Sequence, residues 1–442
     1  AYRVFEDMKA SGLDPDHFTY NTLISSFGKS GQWRRALSVL EEMRDAGVDA
    51  NTITFSAAIS ACERAGQWEK AAELFAEMSE RGVPPNVYTY NAVISARGQG
   101  GQWESLDCVL REMRAAGVRP NVFTYNALIS AFGRGGHWEK AAEVLQKLKA
   151  SRLKPNTVTY NALISACGKA GEVDQAMAMF KEMQAARVRT NTITYSSLIS
   201  ACERVGQWRR AMEVFEWMQR AGVHPNTITF NALISACHKG GQWMQAGEVL
   251  EDMHACGVAP DTITYSSLIS ACERGRQWER ALEIFADMQS SGVSADVIVY
   301  SSLVRACGKV GQLERAEQIF RDMRVAGVRP NAVAYNALVE AYVRGGQWER
   351  GAHIVSEMLA EGVCPDVVTY NVLLRGCEEW RRAMGIFAEM QSVGVPPDEV
   401  SRSALIQVCA HFGKEDEAME AIARPPPRGR DERMIEDDDC RL

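Results

Sequence analysis

A period of 35 residues runs through this chain: ten blocks follow one another from His17 to Asp366 without insertion or deletion. Such a spacing marks a solenoid, in which each block is one supersecondary element that cannot bury its apolar face alone. One block reads TVTYNALISACGKAGEVDQAMAMFKEMQAARVRTN (Thr157–Asn191), and the next opens TITYSSLISACERVGQW at Thr192. Stacked blocks share a continuous core. A length of 442 residues, which otherwise suggests two or three domains, is therefore expected to give one elongated body.

Positions are numbered here from the residue after the Asn or Asp that closes the previous block. In Thr157–Asn191, Tyr160, Leu163, Ile164 and Cys167 recur at helical spacing, which predicts an amphipathic helix. Gly171 stops it, and Val173, Ala176, Phe180 and Met183 mark one face of a second helix. A short Gly-Val-x-Pro-Asn turn, as at Gly222–Asn226, closes the repeat. The chain starts at Ala1 inside a second helix without an initiator Met, so residues 1–16 read as a partial repeat of a truncated chain. After the ten regular repeats (17–366) comes a shortened repeat of 32 residues (367–398), whose trimmed interhelical turn is expected to disturb Asn371. A terminal half-repeat (399–424) and a polar tail (425–442) expected to be disordered complete the chain.

Much of the composition belongs to the scaffold. Eight of the 12 cysteines share one slot (Cys62, Cys167, Cys202, Cys237, Cys272, Cys307, Cys377, Cys409) that holds Phe27, Phe132 or Tyr342 elsewhere. A slot that takes Cys, Phe or Tyr is an apolar packing position, and the absence of any CxxC argues against zinc. These are expected to be buried thiols of a reducing compartment. Trp33, Trp68, Trp103, Trp138, Trp208, Trp243, Trp278 and Trp348 at position 17 alternate with Val173 and Leu313, a core pattern. Met43, Met78, Met113, Met183, Met218, Met253, Met288, Met323 and Met358 read as core filler. No apolar run approaches the ~20 residues that span a bilayer, so no membrane partner is expected.

Three positions resist a purely structural account. Position 5 is Asn or Ser in every repeat: Asn21, Ser56, Asn91, Asn126, Asn161, Ser196, Asn231, Ser266, Ser301, Asn336, Asn371 and, in the terminal half-repeat, Ser403. Both are mediocre inside a helix, and an inert solvated face would drift more widely, so the restriction suggests readout. Position 35 is Asn or Asp: Asn51, Asn86, Asn121, Asn156, Asn191, Asn226, Asp261, Asp296, Asn331, Asp366 and Asp398. Helix N-capping accounts for that choice as well, and the two roles are compatible. Position 13 carries Lys29, Arg64, Arg134, Lys169, Arg204, Lys239, Arg274, Lys309 and Arg344, with Gln99 the exception. A cation in a last helical turn suits the macrodipole, yet one per repeat also makes a basic rail for a polyanion. The net charge of −7 does not oppose this, since acidic residues gather on the second helices (Glu41, Glu42, Glu69, Glu73, Glu77) and in the tail.

With its [VT]-[VIF]-T-Y-N-x-L-I-S opening, FxxM second helix and G-V-x-P-[ND] closure at 35-residue spacing, the chain resembles the pentatricopeptide repeat proteins from Ala1 to about Arg424. The resemblance implies an all-α fold, a right-handed superhelical solenoid of two-helix repeats. It also implies single-stranded RNA as partner, read one base per repeat. Positions 5 and 35 would then select the base. Position 2 would clamp it, through Phe18, Ile53, Tyr88, Phe123, Val158, Ile193, Ile228, Ile263, Ile298, Val333 and Val368. Position 13 would hold phosphates. Asn–Asn pairs would favour pyrimidines, Asn–Asp U, Ser–Asn A and Ser–Asp G, so repeats one to eleven would read 5′-YAYYYAUGAUU-3′.

The family also implies an organelle, plastid ahead of mitochondrion, with RNA-processing proteins as further partners. No catalytic residue, cofactor, metal ligand or small-molecule substrate is expected. The one HxE, His137-Trp138-Glu139, lies in an ordinary interhelical turn without a CxxC. A protein–protein scaffold of the tetratricopeptide kind is the rival reading, and the RNA-binding part of a longer RNA-processing enzyme is a third.

Overall fold

The computed structural model describes residues 2–423, and among these the regular structure is entirely helical. The predicted tail, 425–442, lies outside the described residues. Each repeat is a helix pair, as in Thr157–Ala170 and Val173–Ala185, and stacked pairs make an all-α solenoid. Internal contacts divide the chain into two compact bodies, Ala1–Ala236 and Cys237–Leu442, rather than the single body expected. The boundary falls inside the first helix of repeat seven, Thr227–Lys239. The terminal half-repeat is itself a short pair, Glu399–Ala410 and Glu415–Ala423.

The core runs from repeat to repeat. Tyr160, Leu163, Ile164 and Cys167 of a first helix and Val173, Ala176, Phe180 and Met183 of the following helix are all buried. All eight slot cysteines and all nine series methionines are buried as well, which fits the packing role expected of them. The ring at position 24 meets the ring at position 4 of the next repeat edge-on: Phe75–Tyr90, Phe180–Tyr195, Phe215–Phe230 and Phe285–Tyr300 each have centroids 5.5 Å apart. Edge-to-face pairs of this kind add about 0.5–1.5 kcal/mol each beyond the area they bury.

The tryptophans differ from expectation. They are half-buried rather than central, and Trp68, Trp103 and Trp243 each cover a glycine of the following repeat. A methyl group on Gly100, Gly135 or Gly275 would come within 2.4 Å of the ring of Trp68, Trp103 or Trp243. The first helices also approach closely. A Cβ on Gly98 would lie 2.3 Å from Ala131 Cβ, and one on Gly133 2.9 Å from Ala166 Cβ.

A ladder of ion pairs that the periodicity did not announce ties the second helices together. Position 28 reaches position 26 of the next repeat in Arg44–Glu77 (2.7 Å), Lys149–Glu182 (2.8 Å) and Arg324–Glu357 (2.6 Å), and Lys9 meets Glu42 in the same register. These half-buried pairs lie near the surface, where an ion pair is worth about 0–1 kcal/mol.

Two substitutions of opposite sign test this packing. Gly98→Ala forces the first helices of repeats three and four apart and is expected to cost about 1–3 kcal/mol. Arg276 occupies the left-handed conformation (φ 55°) that Gly171 and Gly206 take at the same repeat position. Arg276→Gly should therefore raise stability by roughly 1 kcal/mol. Urea unfolding of each variant measures both. Unchanged stability in Gly98→Ala would contradict the close approach.

Candidate nucleic-acid interface

Position 35 is built first, because the next helix starts there. Asn51, Asn86, Asn121, Asn156 and Asn191 are all N-caps whose side-chain oxygen accepts the backbone N–H at position 3 of the next repeat. Asp261, Asp366 and Asp398 do the same, each completed into a capping box by a hydroxyl residue at position 3. Those hydrogen bonds hold the Asp398 carboxyl below its usual pKa. Capping thus occupies Oδ1 and leaves one atom over: Nδ2, a donor, in Asn, and Oδ2, an acceptor, in Asp. The two residue types present opposite hydrogen-bonding character from the same place.

Position 5 is joined to this cap. The Asn161 Nδ2 donates to Asn191 Oδ1 at 3.1 Å, and Asn336 Nδ2 to Asp366 Oδ1 at 3.0 Å. Between them stands a residue that sequence reasoning assigned no role, the position-3 threonine of the next repeat. Its hydroxyl lies 2.7 Å from Asn161 Oδ1 for Thr194, 2.6 Å from Asn126 Oδ1 for Thr159 and 2.6 Å from Asn336 Oδ1 for Thr369. In the serine repeats, Ser56–Thr89 (2.7 Å) and Ser196–Thr229 (2.8 Å) keep the same contact. Asn21 and Asn91 are exceptions, with buried Oδ1 atoms that lack a partner. These threonines are wholly buried. The signal for them was the Thr of the T-Y-N opening, but a partner 33 residues away leaves no local mark.

Asn371 of the shortened repeat keeps the arrangement, with Ser401 Oγ donating to its Oδ1 at 2.6 Å and its Nδ2 donating to Asp398 at 3.3 Å. The trimmed turn lies at the other end of the helix, so the expected disturbance does not occur.

Position 2 gives the strongest departure from core logic. Its apolar side chains stand in solvent, from 50% exposed at Val333 to 77% at Phe18 and Tyr88, while the position-4 rings two residues on are buried. A regular row of exposed apolar side chains is the kind of surface that asks for a partner.

Position 13 divides. Lys29, Arg64, Lys169 and Arg204 are exposed and make no ion pair. Arg134 and Arg274 instead donate to backbone carbonyls of the preceding repeat, Ser95 at 3.4 Å and His238 at 3.5 Å. Lys239 has a partner within the protein. Lys309 is held by Glu273 at 2.8 Å and Arg344 by Glu340 at 2.7 Å. Glu273, 7% exposed, sits at position 12, as do Glu63 and Glu203, which bind Ser95 (2.7 Å) and Ser235 (3.0 Å) of the following repeats. Among the described residues, these four position-13 cations without an ion pair all belong to the N-terminal body.

The separate positions meet in recesses. One of about 380 Å³ is lined by Lys29, Ile53, Ser56, Arg64, Asn86 and Tyr88. Another of about 260 Å³ is lined by Lys169, Ile193, Ser196, Arg204, Asn226 and Ile228. A third of about 410 Å³ has Ile298, Ser301, Lys309, Asn331 and Val333, with Glu273 and Arg305 added. Each places two position-2 side chains around one position-5/position-35 pair, and each falls at a Ser–Asn repeat. Serine at position 5 leaves the room that the larger asparagine fills.

No group of His, Cys, Asp and Glu able to hold a metal occurs among the described residues, and no described helix is long and apolar enough to cross a membrane. Burial pushes the thiols of Cys62, Cys167, Cys202, Cys237, Cys272 and Cys307 up to about 11, which disfavours thiolate.

A family profile described as the pentacotripeptide-repeat region of PRORP matches residues 159–315 and 274–385. Pentatricopeptide repeat profiles also match residues 108–170 and 352–423, 15–64 and 50–99, and 88–118. The chain belongs to the pentatricopeptide repeat family. Among solved structures it is similar to the pentatricopeptide repeat protein PPR10 from maize, at 24% identity and a TM-score of 0.51 over 95% of this chain and 75% of that one. PPR10 in complex with an 18-nt psaJ RNA element aligns at 23% identity and 0.43, over 96% of this chain and 81% of that one. The pentatricopeptide repeat domain of Arabidopsis thaliana PRORP1 in complex with tRNA aligns at 14% identity and 0.36, over 40% and 94%. No curated protein matches by sequence.

The thiols supply a test. Native protein at neutral pH should be alkylated rapidly at exposed Cys108 and Cys256, and at the six slot cysteines only on unfolding, as peptide mass mapping would reveal. The folded state also keeps these six protons up to a pH near 11, whereas unfolded thiols release theirs from about 9. Stability contributed by the neutral thiols is therefore present below pH 9 and lost as pH rises toward 11. Fast alkylation of Cys167 in the native state would contradict the packing.

Proposed function

We propose that this protein binds single-stranded RNA, one base per repeat, with its N-terminal repeat at the RNA 5′ end. The site it selects is 5′-YAYYYAUGAUU-3′. The observation that carries this reading is the recess repeated at repeats two, six and nine. Two exposed apolar side chains flank a pair of small hydrogen-bonding groups, with position-13 cations at the rim. A flat base fits between apolar faces, its edge meets positions 5 and 35, and its phosphate reaches the cation. Membership of the pentatricopeptide repeat family supports the same chemistry. The protein acts by occupying its RNA, without catalysis of its own, in organellar RNA processing, stabilisation or translation, with the plastid favoured.

Binding of 5′-CACCCAUGAUU-3′ against a permuted 11-mer, by fluorescence anisotropy at a stated salt concentration, tests the code. Preference for the ordered oligomer is expected, and Ser196→Asn should move the sixth base from A toward pyrimidine while leaving the others unchanged. Equal affinity for both oligomers sinks the proposal.

Salt provides an independent check. With Lys29, Arg64, Lys169 and Arg204 as the unpaired cations, log K should fall against log salt with a slope of about −3. Lys169→Ala should make that slope shallower by roughly 0.7 and weaken all sequences alike. A salt-independent affinity would exclude phosphate contacts.

A further inference from the structure

Repeats two, six and nine carry the same Ser–Asn pair at positions 5 and 35: Ser56 with Asn86, Ser196 with Asn226, and Ser301 with Asn331. By pair identity alone they should select the same base equally well. Their surroundings differ in one group. Position 3 of the following repeat is Thr89 after repeat two and Thr229 after repeat six, but Ala334 after repeat nine. Repeat eight is deprived in the same way, because Val299 stands behind Ser266 and Asp296.

The hydroxyl at position 3 touches both halves of the pair. Thr229 Oγ is 2.8 Å from Ser196 Oγ and 2.9 Å from Asn226 Oδ1, and the Thr229 backbone N–H donates to that same Oδ1 at 3.0 Å. In repeat two, Ser56 Oγ sits between the Thr52 carbonyl at 2.6 Å and Thr89 Oγ at 2.7 Å, and Thr89 Oγ in turn lies 3.1 Å from Asn86 Oδ1. Ser56 is thereby tied both to its own helix and, through Thr89, to the position-35 residue. In asparagine repeats the same hydroxyl faces Oδ1, which selects one of the two amide orientations and turns Nδ2 toward position 35.

Repeats eight and nine keep only the bond of the serine to its own helix. Ser301 donates to the Val297 carbonyl at 2.6 Å, Ser266 to the Ile263 carbonyl at 3.2 Å, and their position-3 neighbours offer only apolar carbon. Ser301 is also sunk to 2% exposure, against 9% for Ser56 and 8% for Ser196. Asp296 and Asn331 keep the cap bond from the backbone but lose the capping box that the threonine completes in the other repeats.

We infer that the position-3 hydroxyl is the positioning group for base selection, and that repeats eight and nine, which lack it, accept their bases with relaxed preference. Discrimination depends on groups held in one hydrogen-bonding state before the ligand arrives, since a group free to switch between donor and acceptor satisfies the wrong base as well as the right one. The inference rests on the RNA reading above and refines it: the effective site is strict at the second and sixth bases and permissive at the eighth and ninth.

The full chain and the 11-mer 5′-CACCCAUGAUU-3′ suffice for the test, with each adenine changed singly to cytosine. At the second and sixth bases the change should weaken binding about ten-fold, the scale of one mismatched base, and at the ninth by no more than about three-fold. Ala334→Thr should raise the penalty at the ninth base toward ten-fold while leaving that at the second base alone. Val299→Thr, nearly isosteric, should sharpen the eighth base in the same way. Thr229→Ala should relax the sixth, with a thermal melt to verify that the repeat is folded. Equal penalties at the second, sixth and ninth bases, or gain-of-hydroxyl variants without effect, overturn the inference and leave RNA binding standing. Failure of the unmodified protein to bind the 11-mer overturns the RNA reading and this inference together.

Discussion

No repeat in this chain can complete its own core. The edge-on contact of a position-24 ring with the position-4 ring of the next repeat, as between Phe180 and Tyr195, is where that incompleteness is resolved. Everything at the interface follows from it. With Tyr195 turned inward, Ile193 two residues earlier stands on the opposite side of the helix and is left in solvent. Ser196, one residue later, sits at the margin between buried and exposed, where a small polar group touches both protein and solvent. The exposed apolar row is thus a consequence of helical geometry around a shared core, and the same geometry sets one recess apart from the next by one repeat.

The helix cap and the proposed readout pair share one set of atoms. The residue that starts each helix spends Oδ1 on the cap and has one atom left, whose donor or acceptor character depends on the choice of Asn or Asp. Both residues cap well, so stability does not decide between them, and the choice is free to carry information. The position-3 threonine touches the cap residue and the position-5 residue through one oxygen. Capping and the proposed readout remain compatible at position 35, because the cap uses Oδ1 alone.

Much of this was legible in the residues. The helix pairs, their buried faces, the thiol slot and the methionine series follow from periodicity, because each is a local pattern repeated often enough to average out exceptions. Positions 5, 13 and 35 stood out by restriction and do converge at the recesses. Three features were not legible. The tryptophans read as core because a position shared with Val and Leu is apolar, yet they lie at the edge of the helix pair, three of them over a glycine of the next repeat, and stay half in solvent. The basic rail read as uniform, although Glu273 holds Lys309 and Glu340 holds Arg344. The role of Thr194 and its counterparts was hidden because their second partner lies 33 residues back.

The sequence alone determined the period, the helices and the residue types offered to a ligand, since these depend on spacing along one strand of chain. The tertiary structure decided which of those residues are usable. Whether a lysine is unpaired, a hydroxyl is locked or an isoleucine is exposed depends on what the adjacent repeat places a few ångströms away, and that distance exists only after the repeats have stacked.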